Sequence, residues 1–159
     1  PGDVTVWWND VANSTFSHAV GGDGTFALPM EASLDVLVAL VGVATPGTVT
    51  VSRTIGDVAA PGLPASGFID QAWTLTPGGG LAFASADLVF DYDEALLGGL
   101  TEGQIDRAWR DASGVVTELP LMLDTVLNRA TVSGVTGFSD WYLGNEVLVP
   151  VELSAIGIE

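Results

Sequence analysis

Apolar and polar residues alternate over short segments along most of the chain, and 20 glycines and eight prolines separate these segments. Residues 48–54 show the pattern, with Val49 and Val51 on one face of a predicted strand. The same reasoning predicts strands at residues 81–92, 105–109, 115–119, 130–135 and 138–143. Many short strands joined by turns are typical of an antiparallel all-β fold. The sequence therefore predicts a β-sandwich of the Ig-like or jelly-roll-like kind.

Segment 33–44 departs from this alternation because it is apolar at both odd and even positions. Its β-branched content favours a central strand covered on both faces, and a buried helix beginning after Ser33 is the alternative. Turns are predicted at residues 21–24, 61–64 and 76–80, and one helical turn at residues 93–99, ended by Gly98 or Gly99.

Both ends of the sequence carry apolar stripes. Near the amino end one strand face is apolar, with Trp7 on the other face, and near the carboxyl end five odd-numbered positions are apolar around Pro150. Pro150 cannot donate a ladder hydrogen bond, which indicates an edge strand or a bulge, and such a strand needs a groove in its own domain or in a neighbour. We expect one domain over residues 1–159, with 1–20 a terminal strand or arm and 145–159 an edge or donor strand. The predicted interface residues are Val4, Val6, Trp7, Trp8, Val147, Val149, Val151 and Leu153.

Composition adds a strong acidic charge to this apolar pattern. The formal net charge is −16, from 20 acidic and four basic residues, while 48% of residues are hydrophobic and the mean hydropathy is +0.44. The apolar content is high for a self-sufficient monomer and favours association into a homo-oligomer or filament. The acidic excess disfavours nucleic acids and anionic membranes as partners. The sequence contains no run of about 20 apolar residues, so it predicts no membrane span.

The residue types present offer little catalytic chemistry. The chain has no cysteine and no lysine, since its four basic residues are arginines, and His18 is its one histidine. No G-x-S-x-G motif supplies a nucleophile. We therefore expect no enzymatic activity and no obligatory cofactor. An enzymatic alternative is a glycoside hydrolase that uses a pair of carboxylates, because the two members of such a pair meet in space and need not be close in sequence.

Two local patterns are candidate ligand or modification sites. Asp87, Asp91, Asp93 and Glu94 form the densest acidic cluster, and carboxylates at a strand end can hold calcium. The alternative is a solvated strand edge opposite apolar residues. The triplet beginning at Asn13 is an N-glycosylation sequon.

The five tryptophans divide into two groups. Trp73, Trp109 and Trp141 lie in strand patterns and are predicted to pack in the core. Trp7 and Trp8 are adjacent and point to opposite faces, so one of them needs cover from outside its sheet. We interpret them as core or interface residues; the alternative is a carbohydrate-binding surface.

Strand and turn motifs recur through residues 48–144, in the segments 73–77 (WTLTP), 86–93 (ADLVFDYD), 108–110 (AWR) with a turn at 113–114, 130–135 (ATVSGV) and 137–141 (GFSDW). Together they resemble a β-rich module found near the carboxyl ends of secreted and cell-surface bacterial proteins. It implies an extracellular or cell-surface location and a structural role.

Two functional hypotheses follow. The first is a non-catalytic, self-assembling cell-surface or filament subunit in which terminal strands are exchanged between copies by β-strand addition. The second is a carbohydrate-binding or accessory module of a larger secreted protein.

Overall fold

The computed structural model describes residues 13–31 and 34–146. Three 3₁₀ turns, Ala65–Gly67, Glu94–Leu96 and Glu102–Gln104, accompany the strands of this part of the chain. The strands in chain order are β1 (Asn13–Val20), β2 (Gly24–Glu31), β3 (Leu34–Val41), β4 (Gly47–Ile55), β5 (Phe68–Gly78), β6 (Ser85–Asp91), β7 (Arg107–Ala112), β8 (Val115–Pro120), β9 (Met122–Asp124), β10 (Arg129–Val135) and β11 (Asp140–Gly144).

The strands form two antiparallel sheets that pack face to face. The first, sheet A, has six strands in the order β1-β4-β5-β11-β7-β8, and the second, sheet B, has five in the order β2-β3-β6-β10-β9. The predicted all-β sandwich is confirmed. The chain crosses between the sheets from β1 to β2 at one side of the sandwich and from β8 to β9 at the other.

Alternating apolar side chains from both sheets fill the space between them. In β4, Val49 and Val51 are buried as their spacing predicted, and in β6 Leu88 and Phe90 are fully buried. The ring of Trp73 lies 4.9 Å from that of Phe90, which joins the centres of the two sheets. Such pairs of aromatic rings contribute beyond the area that they bury.

A smaller apolar cluster lies on the opposite, outer face of sheet A. Phe68 contacts Trp109 and Tyr142 in edge-on ring pairs with centroids 6.1 Å apart. Ala60 and Leu63, from the loop before β5, cover these rings. Burial raises the pKa of Tyr142, and the nearby carboxylates of sheet A add to the effect.

Three local predictions differ from the structure. In β3 only one face is fully buried, while Leu37 and Ala39 are half-buried, so the expected cover on both faces is wrong. The predicted 76–80 turn begins later, because β5 continues to Gly78 in pairing with Thr48 of β4. The strand predicted at residues 81–92 begins only at Ser85.

A buried polar network closes one end of the core. The side-chain oxygen of Gln71, fully buried, accepts a 2.7 Å hydrogen bond from Arg53, which is 2% exposed. The Gln71 amide donates to the Asp93 carbonyl at 3.1 Å. At the same end Tyr92 donates to Glu102, and burial together with this carboxylate raises the pKa of Tyr92. Among the described residues, no helix is long and apolar enough to cross a membrane.

Candidate functional site

Strand β8 lies at the free edge of sheet A and is positioned by a tight hairpin with β7. The two turn residues, Ser113 and Gly114, have φ of +56° and +87°, as a type I′ turn requires. The turn places Ala112 opposite Val115. In a two-residue hairpin this first pair exchanges both of its hydrogen bonds, and such pairs recur at every second residue. Val115, Thr117 and Leu119 therefore direct their backbone groups toward β7.

The intervening residues of β8 direct their backbone groups away from β7. Val116 and Glu118 each present one N–H and one C=O at the free edge, and Pro120 presents only a C=O. No described strand pairs with this side of β8. The edge is therefore a template with two donors and three acceptors for an added strand.

The side chains of β8 also divide between two faces. Leu119 lies opposite the buried Ala108 and packs against the main core, so Val115 and Thr117 share its inward face. Val116 packs against the outer cluster of sheet A instead. The inward face of β8 is incompletely covered, since Val115 remains 66% exposed.

Among the described residues sheet B has one strand fewer than sheet A, and its strand on this side is short. Strand β9 has three residues and pairs with β10 only from Arg129 to Thr131. Beyond Thr131, no described strand lies on that side of β10. Sheet B thus stops before it can cover the whole of β8.

Exposed apolar side chains concentrate at this side of the sandwich. Five large hydrophobic side chains are strongly exposed among the described residues, and all but Val41 lie on β8, on β9 or in the turn that follows β9. We name strands β8 and β9 together with residues 125–128 the β8–β9 edge. Its exposed apolar residues are Val115, Met122, Val126 and Leu127, with exposures of 66%, 72%, 88% and 58%.

A groove of about 480 Å³ follows β9 on the outer face of sheet B. Its lining residues are Met122, Leu123, Asp124, Thr125, Arg129 and Thr131. Within it, the Arg129 guanidinium donates to Asp91 at 2.7 and 3.3 Å, and this carboxylate raises the pKa of Arg129. The lining of the groove therefore combines apolar side chains with Arg129, one of the four basic residues of the protein.

After β11, the described part of the chain ends at Glu146, near Pro120, the last residue of β8. Arg107, which lies opposite Pro120, is 3.8 Å from the Glu146 carboxylate and 2.6 Å from that of Glu118. The hydrogen bond to Glu118 is the main cause that raises the pKa of Arg107. The Glu146 amide donates to Asp106 at 3.0 Å, so the backbone is held at this position.

The four residues predicted to bind calcium have other partners. Asp87 accepts from the Gly134 amide, Asp93 from the Ala95 amide, and Glu94 from the Asn128 side chain. Asp91 is the carboxylate paired with Arg129. Within residues 13–31 and 34–146, no group of three or more acidic or histidine side chains could hold a metal. Calcium binding by these four residues stays a prediction.

The other predicted residues are placed as follows. Asn13 begins β1, an edge strand of sheet A, opposite Thr54. His18 contacts Phe26 in a tilted ring pair with centroids 4.9 Å apart. The eight predicted interface residues, Val4, Val6, Trp7, Trp8, Val147, Val149, Val151 and Leu153, lie outside the described residues.

The core prediction for three tryptophans is confirmed, since Trp73, Trp109 and Trp141 are 1%, 7% and 0% exposed. The predicted carbohydrate-binding surface involves Trp7 or Trp8, which lie outside the described residues, and it stays a prediction.

Sequence reasoning missed the exposed apolar residues of the β8–β9 edge. Pro120 is the one local signal for an edge, because a central strand cannot accommodate a missing donor. Comparison of the chain with known protein families, with curated proteins and with solved structures found no match.

Proposed function

We propose that this protein is a non-catalytic structural subunit that assembles with copies of itself by β-strand addition at the β8–β9 edge. The observation that carries the proposal is the concentration of exposed apolar side chains there: four of the five in the described residues. Exposed apolar patches on soluble proteins commonly mark interaction sites. A cell-surface location is part of the proposal and rests on the resemblance of residues 48–144.

Strand addition suits this edge because it satisfies two needs together. The unpaired backbone groups of Val116 and Glu118 gain hydrogen bonds, each contributing about 0.5–1.5 kcal/mol net. The apolar side chains of an added strand cover Val115 and Leu119, and full burial of such a side chain contributes about 1.5–3 kcal/mol. Area alone would not specify a partner, but an edge that lacks both cover and pairing specifies a strand.

The partner segment that fits best is the carboxyl-terminal stripe, residues 147–155. Its odd-numbered residues are all apolar, and Glu152 is its one charged residue. In a chain of net charge −16, two copies repel each other over most of their surfaces. A nearly uncharged segment meets little of this repulsion.

The opposite side of the sandwich offers less to an added strand. The exposed side chains of β1 and β2 are small or polar, and the large apolar Phe16 and Phe26 are half-buried against the core. Pro29 also removes one N–H from β2.

A charged residue at the edge tests the proposal. We expect the full chain to form oligomers whose size rises with concentration, and Val115→Lys to shift it to monomer by placing a charge inside the strand pair. The matched control is Val41→Lys, which adds the same charge at the one other strongly exposed large hydrophobic residue of the described chain, 58% exposed and outside the β8–β9 edge. Sedimentation velocity measures both, with circular dichroism as the test of folding. Equal effects of the two variants, or a monomeric wild type, would contradict the proposal.

A further inference from the structure

We propose that residues 147–153 add to β8 as a parallel strand, and that the strand comes from a second copy of the chain. The inference rests on the proposed function and specifies its geometry. Three observations support it: the direction of the free backbone groups of β8, the parity of Pro150 in the apolar stripe, and the position of Glu146.

The apolar stripe fixes which face of the added strand points inward. Val147, Val149, Val151 and Leu153 are all odd-numbered and share one face. The uncovered space lies beside Val115, on the inward face of β8. Burial of the stripe therefore requires the odd-numbered residues to point inward and Pro150 to point outward.

The chirality of the backbone then links strand direction to hydrogen bonding. In β8 the inward-facing residues direct their N–H and C=O groups toward β7, and the outward-facing ones direct them to the free edge. A parallel neighbour repeats this relation, so its inward-facing residues direct their backbone groups toward β8. In an antiparallel neighbour the relation is reversed, and its outward-facing residues would pair with β8.

Pro150 decides between the two directions. In the parallel arrangement Pro150 faces away from β8, and its missing N–H costs no hydrogen bond. In the antiparallel arrangement Pro150 would have to pair with β8 and would leave one acceptor of the edge unpaired. Parallel addition alone buries the apolar stripe and also keeps the full ladder.

A chain cannot add its own segment in this direction. Glu146 is held beside Arg107, opposite Pro120, at the end of β8. A parallel strand must begin beside Val115, roughly 17 Å away, because five steps of about 3.3 Å each separate Val115 from Pro120. Val147 follows Glu146 directly, and parallel neighbours need a crossover of about a dozen residues. The segment must therefore come from another copy.

This geometry produces an open, head-to-tail assembly. Each copy gives one strand and receives one at a different site, which is a heterologous contact that extends into a filament unless the rotation closes a ring. Pro150 then lies on the outer side of the added strand, where a missing N–H discourages further strands from pairing.

A pair of proline substitutions tests strand direction. Val151→Pro removes an N–H that faces β8 in the parallel arrangement, and we expect association to weaken about tenfold or more. Glu152→Pro, the matched control, removes an N–H that faces away, and we expect a change within about twofold. Sedimentation velocity on the full chain measures both. The opposite ranking indicates antiparallel addition and overturns the inference, while equal retention excludes this segment as the added strand.

Disulfide trapping provides an independent measurement, because the chain has no cysteine of its own. Double-cysteine variants combine an acceptor position, Val116 or Pro120, with a donor position, Leu148 or Glu152. We expect a ladder of linked oligomers on a non-reducing gel, with the best donor number rising as the acceptor number rises. A falling order overturns the parallel direction, and a linked monomer overturns the exchange between copies. A wild type that never associates contradicts the proposed function itself.

Discussion

Truncation of one valine at three positions separates the contribution of the β8–β9 edge to assembly from its contribution to folding. Val115 lies on the edge and is 66% exposed, Val38 lies in the core of sheet B and is fully buried, and Val41 ends β3 and is 58% exposed. The same substitution, Val→Ala, is made at each position. The chemical change is constant, and only the surroundings differ.

The exposures give the expected magnitudes. Val→Ala removes two methyl groups, a transfer free energy of about 1.6 kcal/mol. Val115 is about two thirds exposed in the monomer, so about two thirds of this transfer free energy is gained only on assembly. Val115→Ala therefore weakens the association free energy by about 1 kcal/mol, which is roughly fivefold in the association constant. At Val38 the whole term and a cavity penalty reduce the free energy of unfolding by about 2–3 kcal/mol. At Val41 we expect no change in association.

Two assays on the same preparations measure these quantities. Urea unfolding gives the free energy of unfolding, and sedimentation velocity under conditions where every variant is folded gives the association constant. We expect Val115→Ala to affect mainly association and Val38→Ala mainly unfolding. The reasoning fails if Val41→Ala weakens association as much as Val115→Ala, because exposure alone, and not the free edge, would then explain the effect.

Two further predictions concern the polar contacts. Gln71→Leu removes the 2.7 Å hydrogen bond that the buried Arg53 donates to the Gln71 side chain, so we expect urea unfolding to show a loss of about 1.5–3 kcal/mol in the free energy of unfolding; a loss below about 0.5 kcal/mol contradicts this. The Asp23 carboxylate accepts the Val43 amide at 2.7 Å, and this bond is the main cause that lowers the pKa of Asp23 from 3.8. The stabilisation from this hydrogen bond is therefore fully present when the pH is above the ordinary pKa of 3.8, and it is lost as the pH falls through the lowered pKa. The protection of the Val43 amide from hydrogen exchange, measured against its intrinsic rate at each pH, should fall over that range in the wild type and stay unchanged in Asp23→Ala; wild-type protection that does not depend on pH refutes it.

The strand pattern could be predicted where burial on one face imposes a period of two. Strand β4 shows this period of two. Its inward positions are apolar except for Arg53, whose buried side chain bonds Gln71, and its outward positions are polar. The same logic failed for β3, where apolar residues on both parities suggested two-sided cover. The outer face of sheet B leaves Leu37 half-buried and Val41 exposed, so composition overstated burial.

The candidate site was less accessible to sequence reasoning, because an edge is a property of the whole sheet. Nothing in residues 115–120 except Pro120 distinguishes β8 from a central strand, and its position depends on pairing between distant strands. The partners of the acidic cluster were hard to predict for a related reason. Asp91 is paired with Arg129, 38 residues away, and short-range spacing of carboxylates carries no information about such a partner.

Sedimentation velocity of the full wild-type chain over a wide concentration range measures self-assembly itself. We expect species that grow from monomer through dimer to longer oligomers as concentration rises, because each oligomer keeps one free edge and one free segment. A single monomeric species at every concentration would contradict self-assembly, and a dimer that grows no further would contradict the open head-to-tail geometry.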